Sequence, residues 1–299
     1  MVLLVLAGPT GIGKTDLSIK LAKHFDTEIV SADSRQFYKE LEIGTAPPSE
    51  RQLSEVKHHF IKCRSITDDY TAGKYEIDAS KVIAELSAEK KHVWLVGGSG
   101  LYIDAVCRGI DDIPATDPEL RKNIVEKYRK EGIEGLRFEL KRLDPDAYNI
   151  IDIRNPQRLT RALEVRIATG KSYVELRKNF ARTGRFRTVK ICLELPREAL
   201  YARIDSRVDR MMNDGLRDEA KRLYRHRNLN ALKTVGYREL FDCIDNKIDS
   251  EEALRLIKRN TRRYAKRQIS WFARYDDFGR FAPDDFNGIC EYVERKSRE

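Results

Sequence analysis

No C-x-x-C pair occurs anywhere in the 299 residues, and the five cysteines, Cys63, Cys107, Cys192, Cys243 and Cys290, are scattered and odd in number. That argues against a zinc site or a disulfide framework and fits a reducing compartment. Long apolar runs are also missing, so no segment is expected to span a bilayer. The opening stretch MVLLVLAGPT has no basic region ahead of its apolar residues. It is expected to be a buried strand rather than a signal peptide, which makes the cytoplasm the default location. Fixed-period repeats and low-complexity tracts are absent too. With 41% hydrophobic and 35% charged residues, the chain should be globular, as one large domain or two modest ones.

Acidic residues thin out in two segments. From Asp152 to Lys190 there are eleven Lys/Arg against three acids, and from Arg255 to Arg274 there are eight and none. Each segment nets +8 while the whole chain nets +9, so the remainder carries −7. Such concentration is the footprint of a polyanion partner, although two solvated helix faces would give the same count.

The first hundred residues alternate strand and helix. VLLVLAG reads as a strand, Lys14 to about His24 as a helix, and EIVSA (Glu28–Ala32) as a second strand. A weaker stretch from Tyr38 to Asp69, with a loop at Pro47-Pro48, precedes a helix from Tyr75 to about Lys90 and the strand HVWLVGG. This alternation predicts a parallel sheet covered on both faces. Beyond Gly109 the texture changes, and Pro114 to Arg187 reads as helical throughout. Thr116-Asp117-Pro118-Glu119 is a helix start, and Asn155-Pro156 opens another helix that Gly170 closes. A strand resumes at TVKICLELP, helices follow from about Arg197 to Leu223 and from Ser250 to about Tyr275, and FGRFAP suits a last strand. With the phosphate-loop pattern G-x-x-x-x-G-K-[ST] at Gly8–Thr15, the expected organisation is a P-loop nucleoside triphosphate hydrolase-like α/β core, residues 1–113 and 187–299, interrupted by a helical insertion, 114–186.

Straight after the first strand comes GPTGIGKT (Gly8–Thr15), which fits G-x-x-x-x-G-K-[ST]. Gly8, Gly11 and Gly13 let backbone N–H groups turn toward an anion, and the following helix adds its positive end. Lys14 supplies a mobile cation and Thr15 a ligand for Mg²⁺. A conventional ATPase also needs an acid at the end of a neighbouring core strand. Here VWLV runs instead into Gly97-Gly98-Ser99-Gly100, with no carboxylate. The acid at a strand end is Asp33, in SADSRQ. Beside a bound diphosphate it suits general-base work on an acceptor; a turn former is its plainer reading. The site therefore looks like a phosphate holder with an acceptor base and no hydrolytic machinery.

GPTGIGKT, VSADSRQFYKELEIGTAPP, HHF, VGGSGLY, NPQRLTRALEV, RIDSRVDRMMNDGL, KTVGYRE and RRYAKRQISWF occur in that order. Together they resemble the tRNA dimethylallyltransferases over nearly the whole chain. The resemblance implies transfer of a dimethylallyl group from dimethylallyl diphosphate to N6 of the adenosine 3′ to the anticodon, in tRNAs reading codons that begin with U. The loop residues Gly8, Pro9, Thr10, Gly11, Ile12, Gly13, Lys14 and Thr15 would then grip a diphosphate leaving group. Lys14, Thr15 with Mg²⁺ and Arg207 would stabilise its departure, Asp33 would take the N6 proton, and Thr10 would hydrogen-bond a diphosphate oxygen or the acceptor. The target base must leave its stack, and an unpaired loop is where RNA sequence is readable. The family pattern assigns tRNA contacts to Asp33, Ser34, Arg35 and Gln36, to Ser99 and Arg121, to Gln157, Arg158, Leu159, Thr160 and Arg161, and to Lys233, Thr234, Val235, Gly236, Tyr237 and Arg238. Arg154, Arg158 and Arg161, at i, i+4 and i+7, would line one helix face. Tyr264, Trp271 and Tyr275 read as core packing rather than base stacking. Ser99 stands where Thr is commoner in the family, and keeps the hydroxyl.

The expected partners are the tRNA anticodon stem-loop and dimethylallyl diphosphate, with no membrane and a monomeric protein. The rival readings are an adenylate isopentenyltransferase acting on a free nucleotide, a P-loop small-molecule kinase binding ATP, and a non-catalytic RNA-binding module. The two basic segments and the insertion argue against the first, because a free nucleotide needs neither.

Overall fold

The computed structural model describes residues 1–110, 117–176 and 186–299. Pro114 and Thr116 of the expected helix start, and Arg177, Lys178, Arg182 and Arg185 of the first basic segment, lie outside the described residues. The chain divides into two compact units, Met1–Cys107 with Gly184–Glu299, and Arg108–Thr183.

In the first unit the elements run β1 (Val2–Ala7), α1 (Lys14–His24), β2 (Ile29–Ser31), α2 (Glu50–Glu55), β3 (His58–His59), α3 (Ala72–Ser87), β4 (His92–Gly97) and α4 (Gly100–Arg108). The second unit holds α5 (Pro118–Leu143), α6 (Pro145–Ile150), α7 (Pro156–Thr169) and α8 (Tyr173–Leu176). The first unit then resumes with β5 (Arg187–Leu193), α9 (Arg197–Asn213), α10 (Leu216–Leu223), α11 (Tyr237–Ile244), α12 (Ser250–Phe272), β6 (Phe278–Phe281) and α13 (Phe286–Arg298).

Among the described residues six strands form one sheet in the order β3-β2-β4-β1-β5-β6, with every pairing parallel. All of β1 is buried, as a central parallel strand requires. Its period-2 alternation feeds two cores. Leu4 and Leu6 pack on one face with Leu17 and Leu21 of α1 and Ile289 and Val293 of α13. Leu3 and Val5 pack on the other with Ala79 and Ile83 of α3 and Ile103 and Val106 of α4. A third cluster joins α9 to α12 through Val208, Leu216, Leu240 and Ile257. Because β1, β2 and β4 are adjacent and parallel, their carboxyl ends bring the Gly8–Thr15 loop, Asp33 and the Gly97–Gly100 turn to the same edge. That edge is where open α/β sheets bind ligands.

Two details depart from the sequence expectation. The weakly patterned stretch from Tyr38 to Asp69 contains β3, a two-residue ladder on β2, and His59 Nε2 meets Glu28 Oε2 at 2.6 Å. In the second unit, α5 breaks at Gly132, whose φ is 69°. Lys127 reaches Glu139 at 2.6 Å across that break. A straight helix would hold them about 18 Å apart, so the chain doubles back. The returning half packs Leu136 and Leu140 against Leu159 and Leu163 of α7. The buried Asp144 caps α6 at Ala147 N and accepts from the Ser172 hydroxyl and Tyr173 N.

Candidate active site

The phosphate loop takes the backbone course its glycines allow, with positive φ at Gly11 (80°) and Gly13 (102°). Ile12 is fully buried and anchors the loop, while Gly13 begins α1 without a side-chain cap. The first-turn amides of an uncapped helix are available to an anion. Lys14 Nζ donates to the carbonyls of Gly8 and Pro9, both at 2.9 Å. Burial pulls its ammonium from 10.5 down to about 8; Asp33 opposes that shift and Arg207 adds to it. Thr15 lines a cavity of about 780 Å³ together with Lys14, Arg203, Arg207 and Arg210.

A second cavity of about 260 Å³ adjoins it. Thr10, Asp33, Thr45, Arg207 and Met211 line both. Asp33 Oδ1 accepts from the amides of Arg35 (2.9 Å) and Gln36 (3.3 Å), so the residue does form a turn. Among the described residues its other oxygen has no hydrogen-bond partner. Burial lowers the Arg207 guanidinium, against a raising influence of Asp33. A carboxylate with an uncommitted oxygen thus stands where a cavity lined by Lys14, Arg203, Arg207 and Arg210 adjoins a smaller one.

Ser34, Arg35, Lys233, Thr234, Val235, Gly236 and Arg238 line the smaller cavity. Arg35 is steadied there by the carbonyls of Asn230 and Ala231, and Gln36 by those of Thr45 and Ala46. Several other positions assigned to tRNA contact are buried in the protein. Tyr237 is fully buried, with its hydroxyl on Glu219. Ser99 is only 9% exposed and accepts the Ser34 amide at 3.0 Å, so it supports the turn rather than facing outward. In the second unit Gln157 and Arg158 are exposed, but Leu159 is 0% and Thr160 6% exposed. A helix turns 100° per residue, and a run of five cannot all face one ligand. Arg154 precedes the cap of α7, Asn155, and sits off the helix face proposed for it. Arg121 and Arg161 reach the buried carboxylate of Glu164 at 2.8 and 3.4 Å.

Residues 36–275 match the family described as IPP transferase. The chain belongs to this family. It is 45% identical to tRNA dimethylallyltransferase 1 of Bacteroides fragilis, over 98% of this chain and 97% of that one. The tRNA isopentenylpyrophosphate transferase of Bacillus halodurans shares its fold with a TM-score of 0.72 at 33% identity, covering 99% and 98% of the two chains. A eukaryotic dimethylallyltransferase captured acting on tRNA superposes with a TM-score of 0.79 at 25% identity, over 99% of this chain and 78% of that one.

Against the family's expected site, three residues in the larger cavity were missed from sequence. Arg203 and Arg210 flank Arg207 at i, i+4 and i+7 on α9, and that spacing was a usable signal. Gln268 carried no such signal. It is buried on α12, accepts the Thr10 amide at 2.9 Å and donates to Gly98 O at 2.9 Å. One side chain thereby ties the phosphate loop to the turn after β4. Of the three aromatics read as core, Trp271 and Tyr275 both bond Asp104. Tyr264 instead lines the smaller cavity, and burial pushes its phenol up to about 12.

Proposed function

We propose that this protein transfers the dimethylallyl group of dimethylallyl diphosphate to N6 of the adenosine 3′ to the anticodon, in tRNAs reading U-initial codons. The observation carrying this reading is the junction at Thr10, Asp33 and Arg207, where a cavity lined by Lys14, Arg203 and Arg210 meets a smaller one lined by Lys233, Arg238 and Arg267. The family relationship supports the same donor and acceptor.

The adenine amino group is a poor nucleophile because its lone pair is delocalised into the ring. The allylic carbon compensates by developing positive charge as its C–O bond breaks. The chain's task is to hold the departing diphosphate, using the loop amides, Lys14, Arg203 and Arg207. N6 attacks C1 from the side of the smaller cavity, and Asp33 takes the N6 proton through its uncommitted oxygen. Tyr264 gives a flipped adenine an aromatic surface, and Lys233, Arg238 and Arg267 meet the flanking phosphates.

The Thr15 hydroxyl, which lines the larger cavity, is the chain's own group that would hold a Mg²⁺ ion. Small hard cations are usually held through substrate phosphates with few protein ligands, and no cluster of three His, Cys, Asp or Glu occurs among the described residues. When bound, the ion would offset charge on the leaving group. The absence of a carboxylate after β4 suits a reaction in which no water is activated. No helix among the described residues is long and apolar enough to cross a membrane.

The test is to incubate the protein with dimethylallyl diphosphate, Mg²⁺ and an unmodified anticodon stem-loop carrying A-A-A after the anticodon, then weigh the RNA. A gain of one C5H8 unit that disappears in Asp33→Asn is expected. Modification of AMP but not of the RNA would move the reading to a free-nucleotide enzyme, and ATP consumption alone would make it a kinase.

A further inference from the structure

Glu219, on α10, is a carboxylate with no exposure at all. Its Oε2 accepts the backbone N–H groups of Glu42 (2.9 Å) and Ile43 (2.8 Å). Its Oε1 accepts the N–H of Gly44 (3.0 Å) and the hydroxyl of Tyr237 (2.6 Å). Four donors saturate the group, and none of them is a cation. Three consecutive amides converging on one acceptor fix the chain at 42–44, because moving any of them leaves a buried polar group unpaired.

The Tyr237 ring lies directly against the same segment. A Cβ on Gly44 would fall 2.6 Å from the ring's Cζ and Oη, so only glycine permits the approach. From here the order propagates in two directions. Thr45, next in the chain, lines both cavities, and its carbonyl and that of Ala46 receive Gln36 Nε2, three residues from Asp33. On the other side Tyr237 opens α11, and residues 233–236 ahead of it line the smaller cavity. Glu239 pins that stretch to α12, accepting Gly236 N at 2.8 Å and Asn260 Nδ2 at 2.7 Å.

We infer that Glu219, acting through Tyr237 and the 42–44 amides, is a positioning residue that joins the two loops walling the acceptor cavity and sets its shape. This inference rests on the acceptor reading proposed above. It accounts for the burial of Tyr237 inside a block otherwise facing the cavity, since its hydroxyl is the cross-tie. Tyr237→Phe cuts the tie while leaving the 42–44 amides bonded. Glu219→Gln cannot accept from all four donors, because one of its ends donates.

The experiment compares both variants with wild type by steady-state prenyl transfer to the stem-loop, by thermal unfolding, and by hydrogen exchange of segments 42–46 and 233–238. Tyr237→Phe should raise KM for the RNA about fivefold, leave KM for dimethylallyl diphosphate unchanged, and barely move Tm. Glu219→Gln should also lower kcat, since Thr45 borders the donor cavity. An unchanged RNA KM in Tyr237→Phe, or both KM values rising in step with a fall in Tm, overturns the assignment. If the wild-type protein fails to modify RNA, the acceptor reading falls, and exchange still decides the joint. Faster exchange in both segments of Tyr237→Phe sustains it, and faster exchange in one or neither refutes it.

Discussion

Helix α9 carries two kinds of charge on two faces, and they have opposite fates. Asp205 and Asp209, at i and i+4, receive Arg262 and Lys258 of α12, each at 2.6 Å. Arg203, Arg207 and Arg210, at i, i+4 and i+7, make no ion pair among the described residues and line the larger cavity. Both sets lie on α9, yet one is committed to ion pairs and the other stands unpaired in the cavity lining. Two of the eight cations in the second basic segment, Lys258 and Arg262, are therefore committed to an internal seam. Charge counts locate candidates; the partner decides which are available.

The sharpest way to break this contrast is to neutralise one arginine of each kind. Arg207→Gln should lower kcat/KM for prenyl transfer by about 10²–10³, the usual scale for removing a donor aimed at developing negative charge. Arg262→Gln should leave the same rate within about threefold, because its partner is Asp205 and not substrate. Steady-state transfer to the stem-loop measures both. Equal losses would erase the distinction between the faces.

A second test uses the cation of the phosphate loop. In the free protein the Lys14 ammonium titrates at about 8. Below that pH a diphosphate meets a charged lysine, and above it binding must take up a proton. The Kd of an unreactive dimethylallyl thiodiphosphate should therefore rise with pH above about 8, approaching tenfold per unit. Lys14→Met should bind more weakly and show only the ligand's own titration. The same shift has a stability consequence of known sign. Between about 8 and 10.5 the unfolded chain holds more protons than the folded one, so the ligand-free protein gains stability as pH rises through that window.

The helical insertion supplies the intermediate case, a half-exposed arginine on a buried acid. Arg121 reaches Glu164, which has no exposure. Arg121→Gln should cost about 1–2 kcal/mol in unfolding of the insertion, less than a fully buried pair, because Arg161 also reaches Glu164. Chemical denaturation of the whole chain would show it. A loss of RNA affinity without any loss of stability would instead return Arg121 to the set of direct contacts.

Short-range features of the site were legible in the sequence. The phosphate loop and Asp33 at a strand end are local patterns whose spacing reports their geometry, whereas Arg207 came only from the family resemblance. Contiguous blocks were read too generously, because helical rotation turns Leu159, Thr160 and Tyr237 inward while their neighbours face out. Gln268 was invisible, as its partners lie 258 and 170 residues away in the chain. Glu219 was hidden likewise, since its bonds to 42–44 exist only once α10 has packed. The parallel sheet followed from alternation of strand and helix. Its extra strand β3 did not, being a two-residue ladder with no pattern to detect. The break in α5 rests on Gly132 in a helix-forming context, where a mid-helix glycine is ordinarily tolerated at a cost of about 1 kcal/mol.

The smallest effect is expected in the seam itself. Arg262 Nη1 touches both oxygens of Asp205, at 2.6 and 2.7 Å, but the two side chains remain 30% and 36% exposed. Water screens such a pair and the ordered side chains lose entropy, so a double-mutant cycle of Asp205→Asn with Arg262→Gln should return about 0.5–1 kcal/mol of coupling. That coupling should shrink in high salt. The anion affinity of Arg203 and Arg207 should weaken with salt as well, yet by a different route, since there salt competes with the ligand for unpaired cations. Measuring the cycle and the thiodiphosphate Kd across one salt series separates the two. If the seam coupling exceeds about 2 kcal/mol, the paired face is itself holding the unpaired one in place, and Arg262→Gln would then depress transfer through α9 instead of leaving it intact.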